Sequence, residues 1–175
     1  MKNINGKALK YGDNINTDLI INNAHSVIAG PEWKDIGRYC LYNLDPSFYE
    51  RVEHGDVVIA GKNFGCGSSK PAAIALIGAG IEAVIAKSFS RLFFRNCINL
   101  GLLPIQSESL AELINEGDKL EIDLSSGICK NLSQEWQKTI PSYPPLIKEL
   151  IESGGLGKWL KGKGAQRYKN INNLN

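Results

Sequence analysis

Short apolar runs alternate with helix-forming runs in the middle of the chain. Two runs rich in β-branched residues, DVVIAG at 56–61 and EAVIAKSF at 82–89, are typical of strands buried on both faces, and LLPIQ at 102–106 continues the pattern. Between them, PAAIALIGAG at 71–80 begins with a proline and RLFFRNCINLG at 91–101 ends on a glycine, which favours two helices. Strand, helix, strand, helix, strand predicts an α/β fold with a mostly parallel core sheet flanked by helices.

The N-terminal third of the chain carries weaker signals. GKALKYG at 6–12 predicts a strand, and an Asn- and Asp-rich turn follows it. We expect NNAHSVIAG at 22–30 to form a loop. Residues 30–54 carry apolar groups at loosely helical spacing broken by Pro46, which predicts two short helices.

The C-terminal part adds a hairpin and helices. SLAELINEG at 109–117 predicts a short helix, and DKLEIDL and ICKNLS, joined by SSG over 118–133, predict a small antiparallel hairpin. PSYPPLIKELIESGG at 141–155 places its Leu and Ile residues on one helical face. We therefore predict one domain over residues 1–160 and a polar tail over 161–175.

Charge and hydropathy exclude several classes of function. The 20 basic and 18 acidic residues leave a net charge of +2 and form no basic stripe, which argues against nucleic-acid binding. No apolar run approaches the roughly 18 residues that a membrane span requires, and no signal peptide is recognisable. We expect a cytoplasmic protein that does not bind membranes.

The cysteines do not form a recognisable metal-binding motif. Cys40, Cys66, Cys97 and Cys129 are spaced far apart, without the short CxxC-type spacing of zinc or iron–sulfur sites. In a reducing compartment free cysteines usually serve as small buried apolar side chains. We expect this chain to bind no metal.

The segment GKNFGCGSSKP at 61–71 is the strongest candidate for chemistry. A glycine-rich turn between a buried strand and a helix brings backbone N–H groups and the positive end of the helix dipole together, which favours an anion. Ser68 and Ser69 lie at or just before the helix start, where they could contact a carboxylate or act only as N-caps. Cys66 as a nucleophile is a third interpretation, but the chain has only two histidines, His25 and His54, to serve as its base.

Three motifs in order carry a resemblance to a known family. GDNINTDLII at 12–21, GDVVIAGKNFGCGSS at 55–69 and AVIAKSFSRLFFRNCINLGL at 83–102 closely resemble the swivel domain of the aconitase superfamily. The similarity covers about residues 5–160 and is strongest to the free-standing small subunits of 3-isopropylmalate dehydratase and its homoaconitase and methylmalate-type relatives.

The resemblance implies a fold, a partner and a reaction. The fold is a swivelling β/β/α domain, and the partner is a large subunit that holds a [4Fe-4S] cluster, so this chain itself binds no cofactor. The reaction is the reversible dehydration of a hydroxy-dicarboxylate, with 3-isopropylmalate of leucine biosynthesis as the first candidate. Homocitrate, 2-methylmalate and 2,3-dimethylmalate remain alternatives. A non-catalytic module that binds an organic anion, and self-association of the isolated chain, also remain open.

The resemblance also implies roles for individual residues. Ser68 matches the base that removes the proton α to a carboxylate, and Asp18 matches an aspartate that supports a catalytic histidine of the partner. Ser69, Lys70 and Gly67 match positions that contact the substrate.

Two departures from the family concern substrate binding. The usual SSRE sequence is SSKP here, so Lys70 lacks the planar fork with which arginine binds a carboxylate. A Tyr-Leu-Arg segment that usually follows the first motif is absent from 22–30, where His25 could replace the arginine or simply face solvent. Arg91 and Arg95 are expected to pair with acidic residues within the fold or across the subunit interface.

Overall fold

A computed structural model of the chain describes residues 2–67 and 71–164. The strands, in chain order, are β1 (Asn3–Lys10), β2 (Val57–Ala60), β3 (Ala83–Ala86), β4 (Leu103–Gln106), β5 (Lys119–Asp123), β6 (Ile128–Asn131) and β7 (Trp136–Thr139). The helices are α1 (Thr17–Ile20), α2 (Asn23–Ile28), α3 (Trp33–Gly37), α4 (Phe48–Arg51), α5 (Ala72–Ala79), α6 (Arg91–Leu100), α7 (Glu108–Leu113), α8 (Pro145–Glu152) and α9 (Leu156–Trp159), and the chain that follows, Leu160–Gly164, is kinked at Gly162, where the backbone is not helical.

The strands form one seven-stranded sheet that is parallel on one side and antiparallel on the other. Its order is β4-β3-β2-β1-β5-β6-β7, with parallel pairing from β4 to β1 and antiparallel pairing from β1 to β7. The predicted α/β fold, its parallel strands and the β5–β6 hairpin are confirmed. The antiparallel part is larger than predicted because β7 adds a third strand.

Strand β1 joins the two halves of the sheet. Its N-terminal part pairs with β5, from Asn3 opposite Asp123 to Lys7 opposite Lys119, and its C-terminal part pairs with β2, from Ala8 opposite Val57 to Lys10 opposite Ile59. The chain leaving β1 therefore emerges beside the chain leaving β2.

The sheet is covered on both faces, as its continuous apolar strands require. Alternate residues of β2 face opposite layers: Val58 and Ala60 pack with α5, whereas Val57 and Ile59 pack with residues of α7 and α8. All four are buried, and burying a Val or Ile side chain contributes about 1.5–3 kcal/mol. Two cores thus hold the parallel strands in place and fix the direction in which their loops emerge.

The segment 22–30 is not the loop that the sequence predicted. It contains α2, which begins after Asn22, whose Oδ1 accepts a hydrogen bond from the His25 backbone N–H at 2.8 Å. The two short helices predicted within 30–54 are present as α3 and α4. None of the helices in the described part of the chain combines the length and hydrophobicity that a membrane crossing requires.

Candidate active site

The loops that follow β1 and β2 run side by side beyond the ends of their strands. Five successive backbone hydrogen bonds, the first to the end of β2 and the other four between the loops, join the two segments into one surface. The bonds run from Tyr11 N to Ile59 O (2.8 Å), Gly61 N to Gly12 O (3.0 Å), Asn14 N to Lys62 O (2.8 Å), Gly65 N to Ile15 O (2.8 Å) and Thr17 N to Cys66 O (2.8 Å).

Two glycines shape the turn within the second loop. Gly65 and Gly67 have φ values of +73° and +103°, a region that residues with a Cβ rarely adopt. A Cβ on Gly65 would lie 2.2 Å from Cγ of Phe93, and one on Gly67 would lie 3.2 Å from Oγ1 of Thr17. Both glycines thus occupy the left-handed region of the backbone, and at Gly65 the fold also leaves no room for a side chain.

Asp18 lies directly beside this turn. It is an exposed residue of the first turn of α1, whose N-cap Asn16 accepts a hydrogen bond from Leu19 N at 2.9 Å. The preceding Thr17 is the residue bonded to Cys66, so the backbone attaches Asp18 to the glycine turn. The structure brings together Asp18 and Gly67, two of the residues selected from the sequence.

Ser68, Ser69 and Lys70 lie outside the described residues. The chain is described again from Pro71, and α5 begins at Ala72. The N–H groups of the first turn of a helix have no acceptor within that helix. The three candidate residues therefore connect, in the sequence, the glycine turn to a helix start that favours negative charge.

The chain leaving β3 supports the same turn from a third side. Phe64 N donates to Ser88 O and Ser90 N to Phe64 O, both at 2.9 Å, while the hydroxyl of Ser90 donates to Gly65 O at 2.6 Å. Three loops from adjacent parallel strands thus meet at the carboxyl edge of the sheet, where open α/β sheets usually bind ligands.

Comparisons with known proteins show the family of the chain. The family model of the aconitase C-terminal domain matches residues 41–110. The 3-isopropylmalate dehydratase small subunit of Thermodesulfovibrio yellowstonii is 45% identical over 159 residues, which are 90% of this chain and 94% of that protein. The chain belongs to the family of 3-isopropylmalate dehydratase small subunits. Its members include the isopropylmalate/citramalate isomerase small subunit of Methanocaldococcus jannaschii, which is 42% identical over 93% of this chain and 96% of its own length.

A solved structure extends the family relationship to the fold. A 3-isopropylmalate dehydratase structure from Methanocaldococcus jannaschii superposes with a TM-score of 0.86 at 37% identity, covering 97% of this chain and 99% of that one. The swivel-domain fold that the sequence motifs implied is therefore confirmed.

His25 occupies a different environment from the one expected for a loop residue. Its ring stacks on Tyr39 with centroids 4.6 Å apart and meets the edge of Tyr42 at 5.4 Å, and the side chain is half-buried. In the described part of the chain its ring contacts involve these two tyrosines rather than Asp18 or the glycine turn. The role of His25 in substrate binding stays a prediction.

The arrangement does not favour Cys66 as a nucleophile. Cys66 is half-buried in the glycine turn, beyond the carboxyl end of β2. His54 precedes β2 and lies 3.5 Å from Glu82, and His25 packs on tyrosines. Neither imidazole contacts the Cys66 thiol, so neither is placed to act as its base.

A partly exposed cluster of polar side chains anchors the start of the first loop. The Tyr11 hydroxyl donates to Asp45 at 2.9 Å, and Arg51 bridges Asp45 at 2.5 Å and Glu116 at 2.9 Å. Partial burial acts to raise the pKa of Asp45, but hydrogen bonds from Arg51, Ser47 and Tyr11 outweigh it and hold that pKa below its usual value. Burial, aided by Asp45, raises the pKa of the Tyr11 hydroxyl. At neutral pH the Tyr11 hydroxyl is therefore protonated and the Asp45 carboxylate is ionised, so their hydrogen bond persists.

The side chains that could bind a metal ion are scattered in the described part of the chain. Among residues 2–67 and 71–164, no group of three or more His, Cys, Asp and Glu side chains is arranged to hold a metal ion. Cys40, Cys97 and Cys129 are buried and free, and burial raises the pKa of each thiol.

Proposed function

We propose that this chain is the small subunit of a two-subunit hydro-lyase that reversibly dehydrates a hydroxy-dicarboxylate, with 3-isopropylmalate as the first candidate substrate. The observation that carries the proposal is the bonding of the Asn14–Thr17 segment to the Lys62–Cys66 segment. It sets Asp18 beside the glycine turn that leads into Ser68. The names and overall similarity of the relatives support the same activity.

In this proposal Ser68 takes up the proton α to a substrate carboxylate. A serine hydroxyl is a weak base, so its alkoxide requires strong local stabilisation. The N–H groups of the first turn of α5, which have no acceptor within that helix, would supply such stabilisation because they are fixed before the reaction begins. Ser69, Lys70 and the backbone at Gly67 would bind a substrate carboxylate, and the positive φ of Gly67 allows the close approach of the chain.

The [4Fe-4S] cluster would be held by the large subunit. When bound there, the cluster supplies a Lewis-acidic iron that polarises the substrate hydroxyl. Asp18 would act across the interface by orienting a histidine of that subunit. On this chain, the α2 residues Val27 and Ile28 are 81% and 66% exposed, and such apolar surface is typical of a face that another chain covers. We also propose one domain over 1–160 and a cytoplasmic location for the enzyme.

Reconstitution with the large subunit tests the proposed function. The two chains are co-expressed, the cluster is assembled without oxygen, and candidate substrates are screened by the ultraviolet absorbance of the unsaturated product. We expect dehydration of 3-isopropylmalate by the pair and none by either chain alone. Citramalate is the second substrate to test because one relative is named an isopropylmalate/citramalate isomerase subunit. Homocitrate and dimethylmalate complete the screen.

Two outcomes would contradict this function. Dehydration by the isolated small chain would refute the need for a partner. Tight binding of these carboxylates to the isolated chain, together with no activity of the pair, would support the non-catalytic anion-binding module instead.

Asp18→Asn is expected to lower kcat of the assembled enzyme by about 100-fold, because the partner's histidine loses the group that orients it. An adjacent carboxylate raises the pKa of a histidine, so its removal should shift the limb of the kcat–pH profile that reports this histidine to lower pH. Glu50→Gln, which removes the same charge from an exposed position of α4, serves as the control. An unchanged pH profile with full activity would remove Asp18 from the mechanism.

A further inference from the structure

A cleft of about 470 Å³ lies between α6 and α8, next to the three loops of the candidate active site. Its floor is apolar and includes Phe94, Ile98, Ile147 and Leu150. Arg91 and Arg95 line the same cleft, which therefore combines apolar surface with positive charge.

The two arginines are not neutralised within the described part of the chain. Both are exposed, and neither side chain forms an ion pair or hydrogen bond with residues 2–67 or 71–164. Arg51, by contrast, binds two carboxylates. The predicted pairing of Arg91 and Arg95 within the fold is therefore not found there, which leaves the subunit interface as the alternative.

The positions of these arginines carry a cost for the isolated chain. They are four residues apart on α6, where two like charges repel each other. Arg91 is also the first residue of α6, and a positive charge is unfavourable at a helix N-terminus. A carboxylate from another molecule, bound between the two arginines, would relieve both effects.

The cleft is physically continuous with the candidate active site. Phe89, which lines it, lies edge-on to Phe64 at 6.1 Å and stacks on Phe93 at 6.3 Å. The next residue, Ser90, is hydrogen-bonded to Gly65 of the glycine turn. A partner that covers this turn would therefore lie next to the cleft.

We propose that this cleft is a docking site for an amphipathic segment of the cluster-bearing large subunit, with apolar side chains on the floor and a carboxylate between Arg91 and Arg95. This inference rests on the proposed function. The chain's own C-terminal segment, 165–175, is a poorer match because it contains Arg167 and Lys169 and no acidic residue. A second copy would present the same two cations at the equivalent face.

The double charge reversal R91E/R95E tests the docking site. We expect its Kd for the large subunit to rise by about 10- to 100-fold, because two attractive contacts become repulsive. The wild-type Kd should rise with added salt, which screens the attraction, whereas the Kd of the variant should not rise because salt screens its repulsion. At saturating large subunit kcat should remain within about threefold of wild type, since neither arginine is assigned a catalytic role.

Matched variants keep the result interpretable. K138E makes the same charge change on β7, at the opposite edge of the sheet, and should leave the Kd unchanged. The neutral pair R91Q/R95Q should give an intermediate Kd, and it covers the case in which the charge reversal impairs folding, which thermal unfolding would reveal.

Several outcomes would overturn the proposal. An unchanged Kd for R91E/R95E, or equal weakening by K138E, would refute docking at the cleft while leaving the hydro-lyase function intact. Loss of self-association of the isolated chain in R91E/R95E, with the large-subunit Kd unchanged, would assign the cleft to a second copy. Absence of binding and activity in the wild-type pair would refute both this inference and the proposed function.

Discussion

Ser68→Ala in the reconstituted enzyme is expected to lower kcat by about 10²- to 10⁴-fold, the usual contribution of a positioned general base. The substitution removes the oxygen that would take up the proton α to the substrate carboxylate, and alanine leaves the glycine turn free to keep its geometry. Assembly with the large subunit and the substrate KM should therefore change little. Steady-state kinetics at saturating large subunit, with a binding measurement on the same preparations, would check this.

Two neighbouring substitutions separate the base from other roles. Ser69→Ala is expected to raise KM more than it lowers kcat, because Ser69 is assigned to carboxylate binding. Cys66→Ala should retain near wild-type activity, since the cysteine contributes its backbone carbonyl, bonded to Thr17, rather than its thiol. A full rate in Ser68→Ala would disprove the assignment of the base, and a large loss of kcat in Cys66→Ala would revive the cysteine nucleophile.

The fold was predictable where burial dictates the sequence. Strands β2 and β3 are buried on both faces and are short, continuous runs of β-branched and small apolar residues, a composition and length typical of buried strands. Strand β7 was missed because it is an edge strand with three exposed residues and no apolar alternation. Helix α2 was missed because it contains no buried residue, and its capping by Asn22 resembles an ordinary Asn-rich turn.

The site could be predicted only in pieces. The glycine turn is recognisable because positive φ and close packing demand glycine at Gly65 and Gly67. Asp18 lies beside this turn because backbone hydrogen bonds join two segments that are distant in the sequence. The sequence of neither segment indicates that it bonds to the other. The family resemblance assigned Asp18 and the glycine turn to the same active site. The parallel pairing of strands β1 and β2 explains physically why the two lie together.

Gly65→Ala is expected to destabilise the chain by about 2–5 kcal/mol. The left-handed backbone at φ +73° costs a residue with a Cβ about 1–2 kcal/mol. The new methyl group would also overlap Cγ of the buried Phe93, 2.2 Å away, and overpacking of a core adds about 1–3 kcal/mol. Thermal unfolding of the isolated chain should show a Tm lower by roughly 4–20 °C.

Gly117→Ala isolates the backbone part of this effect. Gly117 has a similar φ of +80° but is exposed, with no atom within 4 Å of the position that a Cβ would occupy. Gly117→Ala should therefore lower the free energy of unfolding by only about 1–2 kcal/mol. An equal loss in Gly65→Ala would show that Phe93 moves aside at no cost. Because Phe93 stacks on Phe89 and contacts Phe64, its displacement should also disturb the turn before Ser68. Gly65→Ala should thus lower activity and stability together, whereas Ser68→Ala should lower activity alone.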